Sequence, residues 1–205
     1  MVPAWKRPEY FEKCKQSLME AQEYPEGTEF FFPEKNSLRT AIIDFFEETR
    51  DRFDILAKMD NDCTVPKNWL NDLLKIFEDY PDVGILSPNV FPSDAASKYG
   101  ESVPGLPYRP TKLIGGLWTM RASLVRGMTF YDYGTKGLVG AHAILRQIIG
   151  ERSPKIGWVD SVVVQDMGHW SGHHPEHIKS EEHFDYSQEV GRPVAWSPEP
   201  EKAVV

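Results

Sequence analysis

The stretch FDILAKMDNDCTVPKNWL, residues 53–70, changes hydrophobic period in mid-course and narrows the fold more than any other part of the chain. DILAK, 54–58, reads as a buried strand. After Pro66, which suits a first helical turn, Trp69, Leu70, Leu73, Leu74 and Phe77 form an apolar stripe at helical spacing. The same switch recurs along the sequence. Strands are expected at 1–4, 28–32 (TEFFF), 83–86 (VGIL), after the Gly pair of IGGLWTMR, and at 157–164. Helices are expected through Tyr10, Phe11, Cys14 and Leu18, over 38–50 through Ile42, Ile43, Phe45 and Phe46, and over 138–149. Such alternation specifies a mixed α/β architecture. Residues 87–112, with Pro92, Pro104, Gly105, Pro107 and Pro110, read as one long irregular loop. A last helix is expected from Pro175 to about 190, followed by a Pro- and Glu-rich tail.

The strand at 54–58 runs straight into Asp60 and Asp62, with Asn61 between them. Residues two apart in an extended segment point the same way, so the two carboxylates are expected to converge. Their repulsion is tolerable where a hard divalent cation neutralises it, and the carboxyl end of a strand is where open α/β sheets place ligands. The alternative is a simple helix cap. Composition bears on the partner. Lys plus Arg number 23 against 31 Asp plus Glu, a net charge of −8, which argues against a nucleic-acid binder while leaving room for a metal-held anionic ligand. At 205 residues one core is expected. The sequence has no apolar run of membrane-spanning length, and MVPAWKRPEY does not read as a signal peptide. Cys14 and Cys63 are too few for a disulfide framework, so a reducing, cytoplasmic setting is the simplest expectation.

Four segments in order carry a resemblance. ILAKMDNDCTVPKNWLNDLL resembles the core of family 2 glycosyltransferases with the GT-A fold, in which a strand delivers a DxD motif ahead of a helix. PAWKRPEYFEKCKQSL is similar to that family's opening strand, turn and helix, IGGLWTMRASLV to its Gly-Gly strand, and VDSVVVQDMGHW to its late strand ending in a metal-binding histidine. The resemblance spans about residues 1–170 and implies a single GT-A domain. Its open, mixed and mostly parallel twisted sheet would be flanked by helices, with a Rossmann-like nucleotide-sugar-binding half at 1–90. An acceptor half at 91–165, a flap and helix at 166–195, and a frayed tail at 196–205 would follow.

The family likeness also implies an activity. It is transfer of a hexose from a nucleotide diphosphate sugar, a UDP-sugar and UDP-glucose first, to an unknown acceptor, with Mn2+ or Mg2+. Asp62 is the implied direct ligand, Asp60 binds the metal or the donor ribose, and His169 is the third ligand with Asp166 as its rival. Pro3, Ala4 and Arg7 match the nucleotide loop, and Glu34 stands where an acidic residue meets the base. Lys58, Asn61, Gly115, Gly116 and Trp118 are assigned to the donor side, Trp118 by stacking on a sugar.

The usual Glu-Asp pair at the 138–149 helix is replaced by Ala141 and His142, which leaves His142 or upstream Asp132 as the candidate general base. With neither, donor hydrolysis becomes the easier reaction. His169, His173, His174 and His177 do not form a structural zinc set, because Gly168, Gly172 and Pro175 oppose a helix there; a Gly-hinged flap bearing Lys179 or Arg192 is expected instead. The rival readings are a catalytically silent nucleotide-sugar-binding domain and a sugar nucleotidyltransferase. The latter is disfavoured because the chain's start lacks a Gly-rich phosphate loop.

Overall fold

Pro8, with its fixed φ and missing N–H, opens helix α1 (Pro8–Glu20), and Tyr10, Cys14 and Leu18 fall on its buried face at spacings of four. The computed structural model describes residues 1–2, 8–33, 38–91, 100–112, 114, 116–130 and 137–167, with side chains for all of these except 38, 90, 91 and 137–142. The flap, the helix expected from Pro175 and the tail lie outside the described residues. Helix α2 (Leu38–Thr49) buries Ala41, Ile42, Phe45 and Phe46. β1 (Ile55–Lys58), β2 (Cys63–Thr64) and α3 (Trp69–Asp79) follow. Asn68 adopts φ 60°, a left-handed conformation that asparagine tolerates, and its carbonyl accepts the first helical bond from Asp72 N at 2.9 Å. Helix α3 therefore starts after Asn68, and Pro66 stands ahead of it rather than in its first turn.

Strands β3 (Val83–Phe91) and β6 (Lys155–Asp166) exceed the expected 83–86 and 157–164 because they pair with each other along almost their whole length. Part of the expected loop at 87–112 is thus strand, and β4 (Arg109–Pro110) lies within it too. β5 (Trp118–Arg121) and α4 (Gly137–Arg152) complete the elements. The sheet order is β1-β5-β3-β6-β2, with β4 also on β6. The mixed α/β architecture is as expected. In strand direction, however, β3–β6 is the parallel pair among the described ladders, while β1–β5, β3–β5, β2–β6 and β4–β6 are antiparallel. The sheet is therefore partly rather than mostly parallel.

Residues 28–32 form no ladder strand, contrary to the reading of TEFFF; Phe31 O accepts from Val2 N at 2.8 Å. Met1 makes the two bonds of a parallel pairing around Lys58, donating to Ala57 O at 2.7 Å and accepting from Met59 N at 3.0 Å.

Side chains alternate across the sheet and build two cores. Leu86 and Leu117 join Cys14, Leu18, Leu73 and Phe77 under α1 and α3. Their chain neighbours Ile85 and Trp118 join Ile42, Phe46, Ile144 and Ile148 under α2 and α4. With both faces covered, β1 is held rigidly enough to aim what lies beyond its end.

Candidate active site

A tight turn follows β1. Met59 and Asp60 leave the strand, and Cys63 N then donates back to Asp60 O at 3.3 Å. The segment through Asp60, Asn61 and Asp62 is therefore a turn and not the extended stretch expected from sequence, although both carboxylates lie near enough to act on the Cys63 and Cys14 thiols.

Asp60 stays with the sheet. Its N–H donates to Gly116 O at 3.1 Å, extending the β1–β5 pairing beyond the strand end. Its carboxylate forms an ion pair with Lys58 Nζ, which also donates to Gly116 O at 3.2 Å. Lys58 is buried, so its ammonium faces inward to this pair rather than toward solvent. A Cβ at Gly116 would stand 2.3 Å from Asp60 Oδ2, which explains the glycine: the carboxylate needs the space. Cys14 of α1 closes the other side, with Sγ 3.7 Å from Asp60 O.

Asp62 goes elsewhere. Its carbonyl accepts from Met167 N at 2.7 Å, and β2 pairs antiparallel with the end of β6, Cys63 opposite Asp166. Ligand atoms of Asp62, Cys63 and Asp166 consequently lie within 4.8 Å of one another. Two carboxylate oxygens on a rigid sheet end fit a hard divalent ion. The thiol fits less well, since burial first, and then Asp60, Asp62 and Asp166, push Cys63 well above its ordinary pKa and keep it protonated. Burial, then Asp62 and Asp60, likewise push Cys14 up to about 12.

Of the metal-site residues inferred from sequence, Asp62 and Asp166 are brought together, Asp60 is diverted to Lys58, and His169 lies outside the described residues. Pro3, Ala4, Arg7, Glu34, Gly115 and Asp132 also lie outside them. His142 sits in the first turns of α4, but its side chain is not among those described. Trp118 is 1% exposed and packs against Phe46 at 6.1 Å between ring centroids, so it is a core residue and cannot stack on a sugar. The grouping of Cys63 with the carboxylates was missed from sequence; its position beside Asp62 was the available signal.

A separate cleft of about 360 Å³ opens along the other edge of β1, lined by Met1, Phe30, Phe31, Ile55 and Trp69 among others. None of Asp60, Asp62 and Asp166 lines it, so the candidate site is the acidic edge.

By sequence, no protein family and no curated protein matches the chain. By structure, it is similar to the mannosyltransferase PcManGT from Pyrobaculum calidifontis, solved in complex with GDP-Man and Mn2+: TM-score 0.61, 16% identity, covering 85% of this chain and 58% of that one. The chain has a GT-A fold. The GT-A likeness extends to S. aureus TarS 1-349 in complex with UDP, with TM-score 0.51 and 12% identity over 80% of this chain and 59% of TarS. The chain thus spans somewhat over half the length of these GT-A structures. Among the described residues no helix is long and apolar enough to cross a membrane.

Proposed function

We propose that this chain is a glycosyltransferase that uses a nucleotide diphosphate sugar, a UDP-sugar first, with Mn2+ or Mg2+ held by Asp62 and Asp166. One observation carries the reading. On a GT-A fold, the β2–β6 pairing brings carboxylate oxygens of Asp62 and Asp166, with the Cys63 thiol, within 4.8 Å of one another at the end of the sheet, which supports a divalent-cation site there. When bound, the ion would neutralise charge that develops on the departing diphosphate. The chain's own residues do the rest. Asp62 is fixed through its carbonyl by Met167 N, Asp166 through the β6 ladder, and Asp60 through Lys58 and Gly116. These restraints fix the backbone from which the Asp62 and Asp166 carboxylates extend, and the carboxylate of Asp60 itself, before a ligand arrives, which favours an electrostatic site. His142 at the start of α4 and Asp132 just before that helix remain the candidate bases, and donor hydrolysis follows where neither deprotonates an acceptor.

The test is free nucleotide diphosphate released from a panel including UDP-glucose and GDP-mannose with Mn2+. Release that stops with chelator and in Asp62→Ala supports the transferase. Stabilisation by UDP and Mn2+ without release would make the chain a silent nucleotide-sugar-binding domain. Pyrophosphate from a nucleoside triphosphate would make it a nucleotidyltransferase. No release and no stabilisation would refute all three.

A further inference from the structure

Lys58 sits two residues before Asp60, at the end of β1, and is 5% exposed. Placing a buried ammonium beside a site meant to attract a cation is costly unless the ammonium has a task there. Its contacts are specific: the Asp60 carboxylate and the Gly116 carbonyl, with Gly116 lacking the Cβ that would dislodge that carboxylate. The turn at Asn61 and Asp62 leaves Asp60 out of the set formed by Asp62, Cys63 and Asp166. Formal charge then counts as follows. Among the described residues, Asp60, Asp62 and Asp166 carry −3 and Lys58 returns one positive charge, and the balance of −2 is offset by one divalent cation. Were Lys58 neutral, Asp60 would be released from its ion pair, and the edge would hold a bare cation more strongly while keeping a net negative charge against an incoming diphosphate.

Resting on the metal site proposed above, we infer that Lys58 is a positioning residue that withholds Asp60 from the cation. It would thereby trade affinity for the bare metal against affinity for the metal-bound nucleotide diphosphate. The opposed directions separate this role from a structural one, since a loosened site would weaken both.

The experiment measures Mn2+ binding by electron paramagnetic resonance without nucleotide, and UDP binding by calorimetry at saturating Mn2+. Lys58→Met is expected to bind Mn2+ roughly tenfold more tightly and UDP roughly tenfold more weakly. Lys58→Arg should stay close to wild type, and Lys58→Met combined with Asp60→Asn should lose the gain in Mn2+ affinity. Lys58→Gln serves if the Met variant does not fold. A folded Lys58→Met or Lys58→Gln that binds Mn2+ no more tightly than wild type, or one that weakens both ligands, overturns the inference. Asp62→Asn separates the two levels. If it abolishes Mn2+ binding while the Lys58 variants match wild type, only the role of Lys58 fails; if it leaves Mn2+ affinity intact, the metal site fails and takes this inference with it.

Discussion

Gly116→Ala tests the geometry of the acidic edge most directly. The added Cβ would lie 2.3 Å from Asp60 Oδ2 and 3.3 Å from its Cγ, well inside contact distance. Gly116 does not have a left-handed φ, so the clash rather than backbone strain sets the cost. The carboxylate must shift to relieve that clash, which disturbs the ion pair that its other oxygen makes with Lys58. A hydrogen bond to a charged group is worth about 1.5–3 kcal/mol. Lys58 keeps Gly116 O as an acceptor and Asp60 is about a third exposed, so the full penalty of an orphaned buried charge does not apply. We expect a loss of about 2–3 kcal/mol, a fall of about 4–12 °C in Tm for a chain of this size. Thermal unfolding followed by circular dichroism measures it. In an Asp60→Ala background the clash partner is gone, and the same glycine change should cost under about 0.5 kcal/mol. Equal losses in both backgrounds would show that the glycine serves something other than the Asp60 carboxylate.

Further outcomes follow from the same structure. Mn2+ at about 100 times its Kd should stabilise the wild type by about 2.7 kcal/mol, and Asp62→Asn or Asp166→Asn should abolish this shift in a thermal melt. Leu73→Ala, which opens a void under α3 at a fully buried site, should cost about 2–5 kcal/mol by urea unfolding. Gly157→Ala should destabilise measurably, because its Cβ would meet Leu86 Cδ2 at 2.8 Å and the Tyr108 ring at 2.7 Å. The Cys14 thiol has a folded pKa of about 12 against an ordinary 9.0, so its contribution to stability is complete below about pH 9 and is lost as pH rises toward 12. Mass spectrometry after iodoacetamide at pH 8 should therefore find Cys14 unmodified in the native protein and alkylated once it is unfolded; native alkylation would contradict its burial.

Local order was legible wherever it depends on spacing along the chain. The face of α1, the stripe of α3 and the strand before Asp60 all follow from apolar period, because a helix or strand must bury one side whatever it packs against. The acidic edge was legible only in part. Asp60 and Asp62 were recognisable as residues, but their convergence was inferred from an extended chain that in fact turns, and TEFFF lacked the ladder that its aromatic content suggested. Register at QDMGH was ambiguous from sequence, because nothing local says which residue of β6 meets β2.

The sequence by itself settled the buried faces of α1, α2 and α3 and the strand that runs into Asp60, and that this strand's end carries two acids near a lysine. Only the tertiary structure decided their allegiance: Asp60 to Lys58 and Gly116, Asp62 to Asp166 across a pairing of segments about a hundred residues apart. The reason is physical. Periodicity reports what a residue must bury, whereas strand pairing depends on hydrogen bonds between distant segments whose backbone groups are the same in every residue but proline, and so leave little trace in side-chain identity.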